Sequence, residues 1–340
     1  MDVLVTGGAG YIGSQTCVEI LLRGHNLVVV DNLENGSILA LDRIKHLANR
    51  EFEFFDCDIR DESRLVKLCS QFVPDVVIHF AGLKSVSDSI LMPEIYYDVN
   101  VGGTLSLLSA MEQVECRNIV FSSSATVYGV PVYLPCDEKH PLKPINPYGK
   151  TKLLAEQRLK DWTLSDPNRR AICLRYFNPV GADPSGTIGE DPLGEPNNLM
   201  PLVSQVAVGR KKSLKVFGCD YETVDGSGIR DYIHVLDLAK AHVSAINKIS
   251  NLNSFETINV GTGQGTSVLQ LIQMFEQQSG RKIDYTIAPR RSGDAPAVWA
   301  DVTLASEKLG FKAERGLADM CLDTWRWQSN NPYGYLEVGT

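Results

Sequence analysis

A glycine-rich turn set between an apolar run and a helix-like stretch constrains this chain more than any other feature. Val3, Leu4 and Val5 lead into Gly7, Gly8, Gly10 and Gly13, and Tyr11–Arg23 continues with helical periodicity. Gly8, Gly10 and Gly13 form a Gly-x-Gly-x-x-Gly register; Gly7, Gly10 and Gly13 form an overlapping Gly-x-x-Gly-x-x-Gly register. Residues without a Cβ let the backbone turn sharply and approach a pyrophosphate, whose charge the N-terminal amides of the next helix receive. A tight turn alone would also use glycines. The strand before and the helix after point instead to a dinucleotide site.

The alternation continues. Apolar runs at 27–30, 52–55, 76–80, 119–122 and 171–176 are separated by helical stretches at 38–48, 65–72, 94–113 and 148–164. Continuous apolar strands between helices predict a doubly wound parallel sheet, a Rossmann-like α/β fold with ligands at the C-terminal ends of its strands. From 179 to 201 the texture turns to Pro, Gly and Asn. Shorter mixed elements follow, with helices at 200–208, 235–248, 267–278 and 317–329 and strands at 214–217 and 257–260. A length of 340 residues suits two cores. The boundary is placed at 178, giving a nucleotide-binding domain over 1–178, a smaller mixed α/β substrate domain over 179–340, and a cleft between them.

Asp31 closes the second apolar run, 18 residues after Gly13. A carboxylate there accepts from an adenosine ribose and repels a 2′-phosphate, which favours NAD over NADP. The alternative is that Asp31 and Asn32 cap a turn. Asp58 and Ile59 follow the third strand, within reach of an adenine. Phe80, Ala81 and Gly82 follow the fourth, with Lys84 just beyond.

Tyr148 and Lys152 are four residues apart, which places both on one helix face, one turn apart. An ammonium beside a phenol favours the phenolate and lowers the tyrosine pKa from about 10 toward neutrality. The phenolate is then a general base for a hydroxyl proton. The alternative is an amphipathic helix with two exposed polar residues. Ser122, Ser123 and Ser124 end the fifth strand at the cleft, where a hydroxyl can bridge substrate and tyrosine.

Composition narrows the partners. A net charge of -8 and a longest basic cluster of Arg210, Lys211 and Lys212 argue against nucleic acid. No run of apolar residues is long enough to span a bilayer, and no signal-peptide pattern precedes the first strand. Cys17, Cys57, Cys69, Cys116, Cys136, Cys173, Cys219 and Cys321 form no Cys-x-x-Cys pair. That spacing suits reduced thiols in a cytoplasmic protein and no metal site. Gly261, Gly263 and Gly265 look like a second phosphate loop, but no basic residue accompanies them, so a tight strand-to-helix turn is expected. His79 and His234 read as core histidines, and Trp325 and Trp327 as packing residues of the last helix.

Taken together, the glycine-rich start, the serine run and the Tyr148/Lys152 pair resemble the extended short-chain dehydrogenase/reductase superfamily. Within it, FSSSATVYG (121–129), LRYFNPVG (174–181), PNNLMP (196–201), RDYIHV (230–235), APRRSGD (288–294) and WRWQ (325–328) are similar to the UDP-galactose 4-epimerase family. The resemblance covers essentially the whole chain. It implies interconversion of UDP-galactose and UDP-glucose through a 4-keto sugar, with tightly held NAD. Tyr148 would be the base, Lys152 its pKa-lowering partner, and Ser124 the hydroxyl ligand of the substrate. Cofactor contacts would come from Gly7, Gly10, Tyr11, Ile12, Gly13, Asp31, Asn32, Asn35, Asp58, Ile59, Phe80, Ala81, Gly82, Lys84, Asn100, Ser122, Tyr148, Lys152 and Phe177, with Lys152 also holding the nicotinamide ribose. Val99, beside Asn100, departs from an Asn seen in some members. Thr126 and Asn178 would lie near the sugar, Asn198 and Leu199 along the UDP path, and Val216 and Phe217 by the uracil. Arg230 and Arg291 would clamp the diphosphate, and Asp294 would hold the uridine ribose.

Val298 stands where a bulky tyrosine accompanies restriction to plain hexoses, so turnover of the N-acetylated UDP-hexosamine pair is expected as well. A homodimer through the helices at 94–113 and 148–164 is implied by the same resemblance. Related 4,6-dehydratases or UDP-glucuronate decarboxylases would need a carboxylate just after Ser124, where Ala125 and Thr126 stand. A catalytically silent NAD-binding sensor is the alternative from another class.

Overall fold

The computed structural model describes residues 1–291 and 293–335. Chain order begins β1 (Asp2–Thr6), α1 (Tyr11–Leu22), β2 (Asn26–Asp31), α2 (Ile38–Ala48), β3 (Glu53–Asp56), α3 (Glu62–Phe72) and β4 (Val76–His79). Then come α4 (Val86–Leu91), α5 (Pro93–Tyr97), a π turn at Asp98–Gly102, α6 (Gly103–Gln113), β5 (Asn118–Ser124), α7 (Pro147–Leu164) and β6 (Arg170–Tyr176). The remainder is β7 (Asn178–Val180), α8 (Leu199–Ala207), β8 (Leu214–Phe217), β9 (Ile229–Arg230), β10 (Tyr232–His234) and α9 (Val235–Lys248). It closes with β11 (Phe255–Val260), β12 (Thr266–Ser267), α10 (Val268–Ser279), β13 (Tyr285–Ala288), β14 (Ala297–Val298) and α11 (Leu317–Asn330).

Seven parallel strands in the order β11-β6-β5-β4-β1-β2-β3 form the main sheet. Alternation along each strand divides its side chains between two cores. Val3, Val5, Val29, Ile78, Ile172 and Ile258 pack with α1 and α9. Leu4, Val30, Val77, Ile119 and Phe121 pack with α3, α6 and α7 on the other face. Strand order reverses between β1 and β4, so the crevice for a ligand opens at their C-terminal ends.

The structure differs from the sequence reading in three respects. First, α9 and β11 lie beyond the boundary placed at 178, yet both build the first layer system. β11 extends the sheet beside β6, and Leu238, Ala241 and Ile246 of α9 enter its core. Second, the stretch at 94–113 starts at Pro93 and is interrupted by the π turn, which carries Asn100. One extra residue per turn re-aims that side chain, a change that helical periodicity cannot register. Third, the short α4 and the two-residue strands β9, β12 and β14 have no counterpart in the apolar pattern.

A third core under α8, α10 and α11 contains Met200, Val203, Val216, Leu271, Phe275 and Met320. It supports β8 and β13, which pair in parallel.

Candidate active site

The glycine-rich turn is built by close contact. Gly7 has φ +73, and a Cβ on it would lie 2.5 Å from the Ala81 amide nitrogen. A Cβ on Gly13 would overlap the Gly7 carbonyl oxygen. Gly10 caps α1 with no side-chain hydrogen bond, so the amides of the first turn, including Tyr11 and Ile12, are open to an anion. The Tyr11 hydroxyl donates to Gly181 O across the cleft at 2.7 Å. The buried Asp31 carboxylate accepts from Ala9 N and Leu33 N, both at 2.9 Å, and so ties β2 to the glycine turn. Burial raises its pKa while those two amides oppose the rise. Two of its lone-pair sites are used, leaving capacity for further donors.

Around Asp31, Asn32 donates to Asp58 at 3.3 Å, and Arg60 holds Asp58 at 2.7 Å, which keeps that carboxylate below its usual range. Asn35 is exposed in the turn before α2, whereas Ile59 is buried against Gly103. Phe80 N and Ala81 N both donate to Thr6 O, which brings the ends of β4 and β1 together. The Asn100 carboxamide is consumed within the chain. It accepts from Leu83 N at 2.8 Å and donates to Leu83 O and Thr151. It therefore fixes the 80–84 loop through its side chain. Lys84 forms an ion pair with Glu190 at 2.9 Å.

At the end of β5 the serine run meets α7. Asn146 caps that helix by accepting from Gly149 N, and Pro147 occupies its first turn, so Tyr148 begins the face one turn above Lys152. Lys152 Nζ donates to Ser122 O at 2.8 Å and lies 5.8 Å from the centroid of the Tyr148 ring. Ser124 Oγ accepts from Thr126 N at 3.2 Å and from Thr126 Oγ1 at 3.0 Å. The Tyr176 hydroxyl donates to Ser122 Oγ, and Phe177 is buried beside Val127 and Tyr128.

Burial pushes the Tyr148 phenol up to about 12, opposed by the Ser124 hydroxyl. Burial also lowers Lys152 to about 8, opposed by the charge of Glu156. Desolvation is the largest influence on the phenol, and positive charge brought beside it would draw it toward neutrality.

Beneath these groups lies a network that the sequence did not reveal. Ser123 donates to Glu156 at 2.5 Å, and Arg175 grips the same carboxylate at 2.9 and 2.6 Å. Glu156 lies one turn below Lys152, a spacing that could have flagged it. Nothing in the sequence pairs it with Arg175.

On the substrate side, Asn178 N donates to Asp231 O, and Asn198 stands at the N-cap position of α8, just before Leu199, without a capping side-chain bond. Val216 is buried on β8. Next to it the Phe217 ring is covered by the Arg291 guanidinium, 4.0 Å from the centroid. Arg230 is ion-paired with Asp294, so two groups expected to hold different parts of a ligand hold each other. Val298 on β14 is in register with Arg230 and packs against the cluster of Val127, Tyr128, Phe177 and Ala300. His79 is buried between Thr6 and Thr104 with its pKa lowered to about 3 by desolvation, a core role.

The NAD dependent epimerase/dehydratase family matches residues 3–261. The chain belongs to this family. Among its relatives, UDP-glucose 4-epimerase 2 of Arabidopsis thaliana is 54% identical over 98% of this chain and 97% of that protein. UDP-glucose 4-epimerase of Homo sapiens is 52% identical over 98% of each chain. The structure of UDP-glucose 4-epimerase from Bifidobacterium longum in complex with NAD+ and UDP superposes with a TM-score of 0.95 at 47% identity, covering 98% of this chain and 100% of that one.

The site fits the cofactor that the family uses. Gly7 and Gly13 leave a cradle that any Cβ would fill, the α1 amides face it uncapped, and the Asp31 carboxylate stands at the end of β2. Arg60 is held by the carboxylates of Asp58 and Asp98.

Proposed function

We propose that this chain is a UDP-glucose 4-epimerase that interconverts UDP-galactose and UDP-glucose through a transient 4-keto sugar. The observation that carries the reading is the convergence of Tyr148, Ser124 and Lys152 at the end of β5, on the same sheet edge as the glycine turn after β1 and one strand beyond β4. NAD, held by the glycine turn and the Asp31 carboxylate, would supply a reversible hydride acceptor for the sugar C4 and a cationic charge that favours the phenolate. Tyr148 accepts the 4-hydroxyl proton and later gives it back. Ser124 Oγ bonds the same hydroxyl and orients it. Lys152, fixed on Ser122 O, keeps a positive charge near the phenolate.

Arg230 and Arg291 hold the diphosphate by charge-assisted hydrogen bonds, with Asp294 passing from Arg230 to the uridine ribose. Phe217 flanks the uracil. Binding energy from the UDP half retains the keto sugar while it turns over in the pocket. Val298 leaves clearance for a 2-acetamido group, so the N-acetylated pair is also a substrate.

The chain works as a homodimer, supported by apolar side chains left exposed on adjoining helices: Ile95 on α5, Leu105 on α6 and Leu164 on α7. A cytoplasmic setting is supported by eight free thiols, seven of them buried. The test is incubation of purified protein with UDP-galactose, separation of the product sugars, and mass analysis of nucleotide released on denaturation. UDP-glucose and NAD are expected; no epimer, or NADP in place of NAD, would overturn the reading.

A further inference from the structure

The loop at 261–265 has the glycines of a phosphate site but no basic residue, and the structure shows which anion its amides hold. We infer that Asp231 is a positioning residue for substrate, filling this loop with its own carboxylate and so locking three segments of the substrate wall together. Thr262 N donates to Oδ1 at 2.8 Å and Thr262 Oγ1 at 2.6 Å. Gly263 N donates to Oδ2 at 3.0 Å and Ala300 N at 3.1 Å. Asp231 is fully buried, and a Cβ on Gly261 would sit 2.5 Å from Oδ2. Gly263 has φ +74. Two glycines are therefore required for the loop to close on a carboxylate, and four donors match a carboxylate's acceptor capacity. No amide of Thr262 or Gly263 remains for an external phosphate.

The segments it joins are those that bound the substrate. Asp231 N donates to Val298 O at 3.1 Å, and Asp231 O accepts from Asn178 N at 3.0 Å. Arg230 precedes it directly, so its guanidinium is aimed by the backbone that Asp231 anchors. Ala300, held by Oδ2, follows Val298 by two residues. The carboxylate holds Thr262, Gly263 and Ala300, and the backbone of the same residue holds Asn178 and Val298, so this one buried residue sets Asn178, Arg230 and Val298 relative to one another. It touches none of the nucleotide cradle.

This inference rests on the proposed UDP-sugar reading, and the experiment separates the two. Asp231→Asn keeps the shape, but its amide nitrogen faces N–H donors where an oxygen accepted them. In the NAD-loaded enzyme, KM for UDP-galactose and Kd for UDP are expected to rise at least about tenfold, roughly the effect of losing one charge-assisted hydrogen bond. NAD content should be native and kcat within about threefold, and the ratio of kcat/KM for N-acetylated over plain substrate should change because the Val298 strand moves. Thr262→Val removes only the hydroxyl bond and covers the case in which Asp231→Asn does not fold; it should raise KM about threefold or more. Native KM and Kd in the folded variants would overturn the inference. So would a joint fall of kcat and NAD content, which marks a general structural role. A wild-type protein that neither binds UDP nor turns over UDP-galactose overturns the functional reading and this inference with it.

Discussion

Replacing Glu156 by Gln tests how the serine run is held against α7. The native carboxylate takes three donors, two from Arg175 and one from Ser123, with both charged side chains only 3% exposed. Glutamine retains one acceptor oxygen and turns an NH2 toward the guanidinium. Breaking one side of a buried pair leaves the other charge uncompensated and costs about 3–5 kcal/mol. With an unfolding entropy of about 2.1 cal/mol/K per residue, 340 residues give about 0.7 kcal/mol/K, so Tm should fall by about 4–7 °C.

The same substitution reaches the site electrically. Glu156 opposes the desolvation that lowers Lys152 to about 8, so its removal moves that pKa lower still. Lys152 then loses its proton at lower pH, and the alkaline limb of the kcat profile shifts to the acid side. Scanning calorimetry and a pH–rate profile for UDP-galactose turnover measure both effects. A Tm within about 1 °C of wild type, below the smallest shift that uncompensated burial allows, would refute the pairing argument. An unmoved alkaline limb would refute the coupling to Lys152.

Other substitutions probe separate links. Tyr148→Phe should retain NAD and fold but lose at least about a hundredfold in kcat, since it removes the proton acceptor with little change in volume; near-native kcat would remove Tyr148 from that role. Val298→Tyr should lower kcat/KM for the N-acetylated substrate by about 5- to 150-fold through an overpacking cost of about 1–3 kcal/mol, with plain UDP-galactose less affected; retained N-acetyl turnover would refute the clearance argument.

His242 is buried against Phe80 and Tyr176, and desolvation lowers its pKa from 6.5 to about 4. The unfolded chain therefore takes up a proton below 6.5 while the folded chain does not until about 4. Its contribution is complete above 6.5 and is lost on acidification at about 1.4 kcal/mol per pH unit. His242→Gln should flatten the acid side of the Tm profile over that window; parallel profiles would contradict it.

The sequence by itself determined the elements whose causes are local. Glycine turn chemistry, apolar runs with no polar face, and the four-residue Tyr148–Lys152 spacing specified the glycine turn, the first six strands of the sheet and the shared face on α7. Each depends on neighbours within a few residues, which is the range over which spacing carries information. Tertiary structure alone decided the rest. It brought β11 to the sheet edge, put Asn100 on Leu83 through a π turn, and paired Arg230 with Asp294. It set Arg175 against Glu156, 19 residues away, and closed the 261–265 loop on a carboxylate 31 residues upstream. It also set the burial of the Tyr148 phenol, which raises its pKa and depends on everything packed around it, while sequence spacing reports only the one ammonium. Partners distant along the chain leave no periodic trace, and desolvation is a property of the assembled interior.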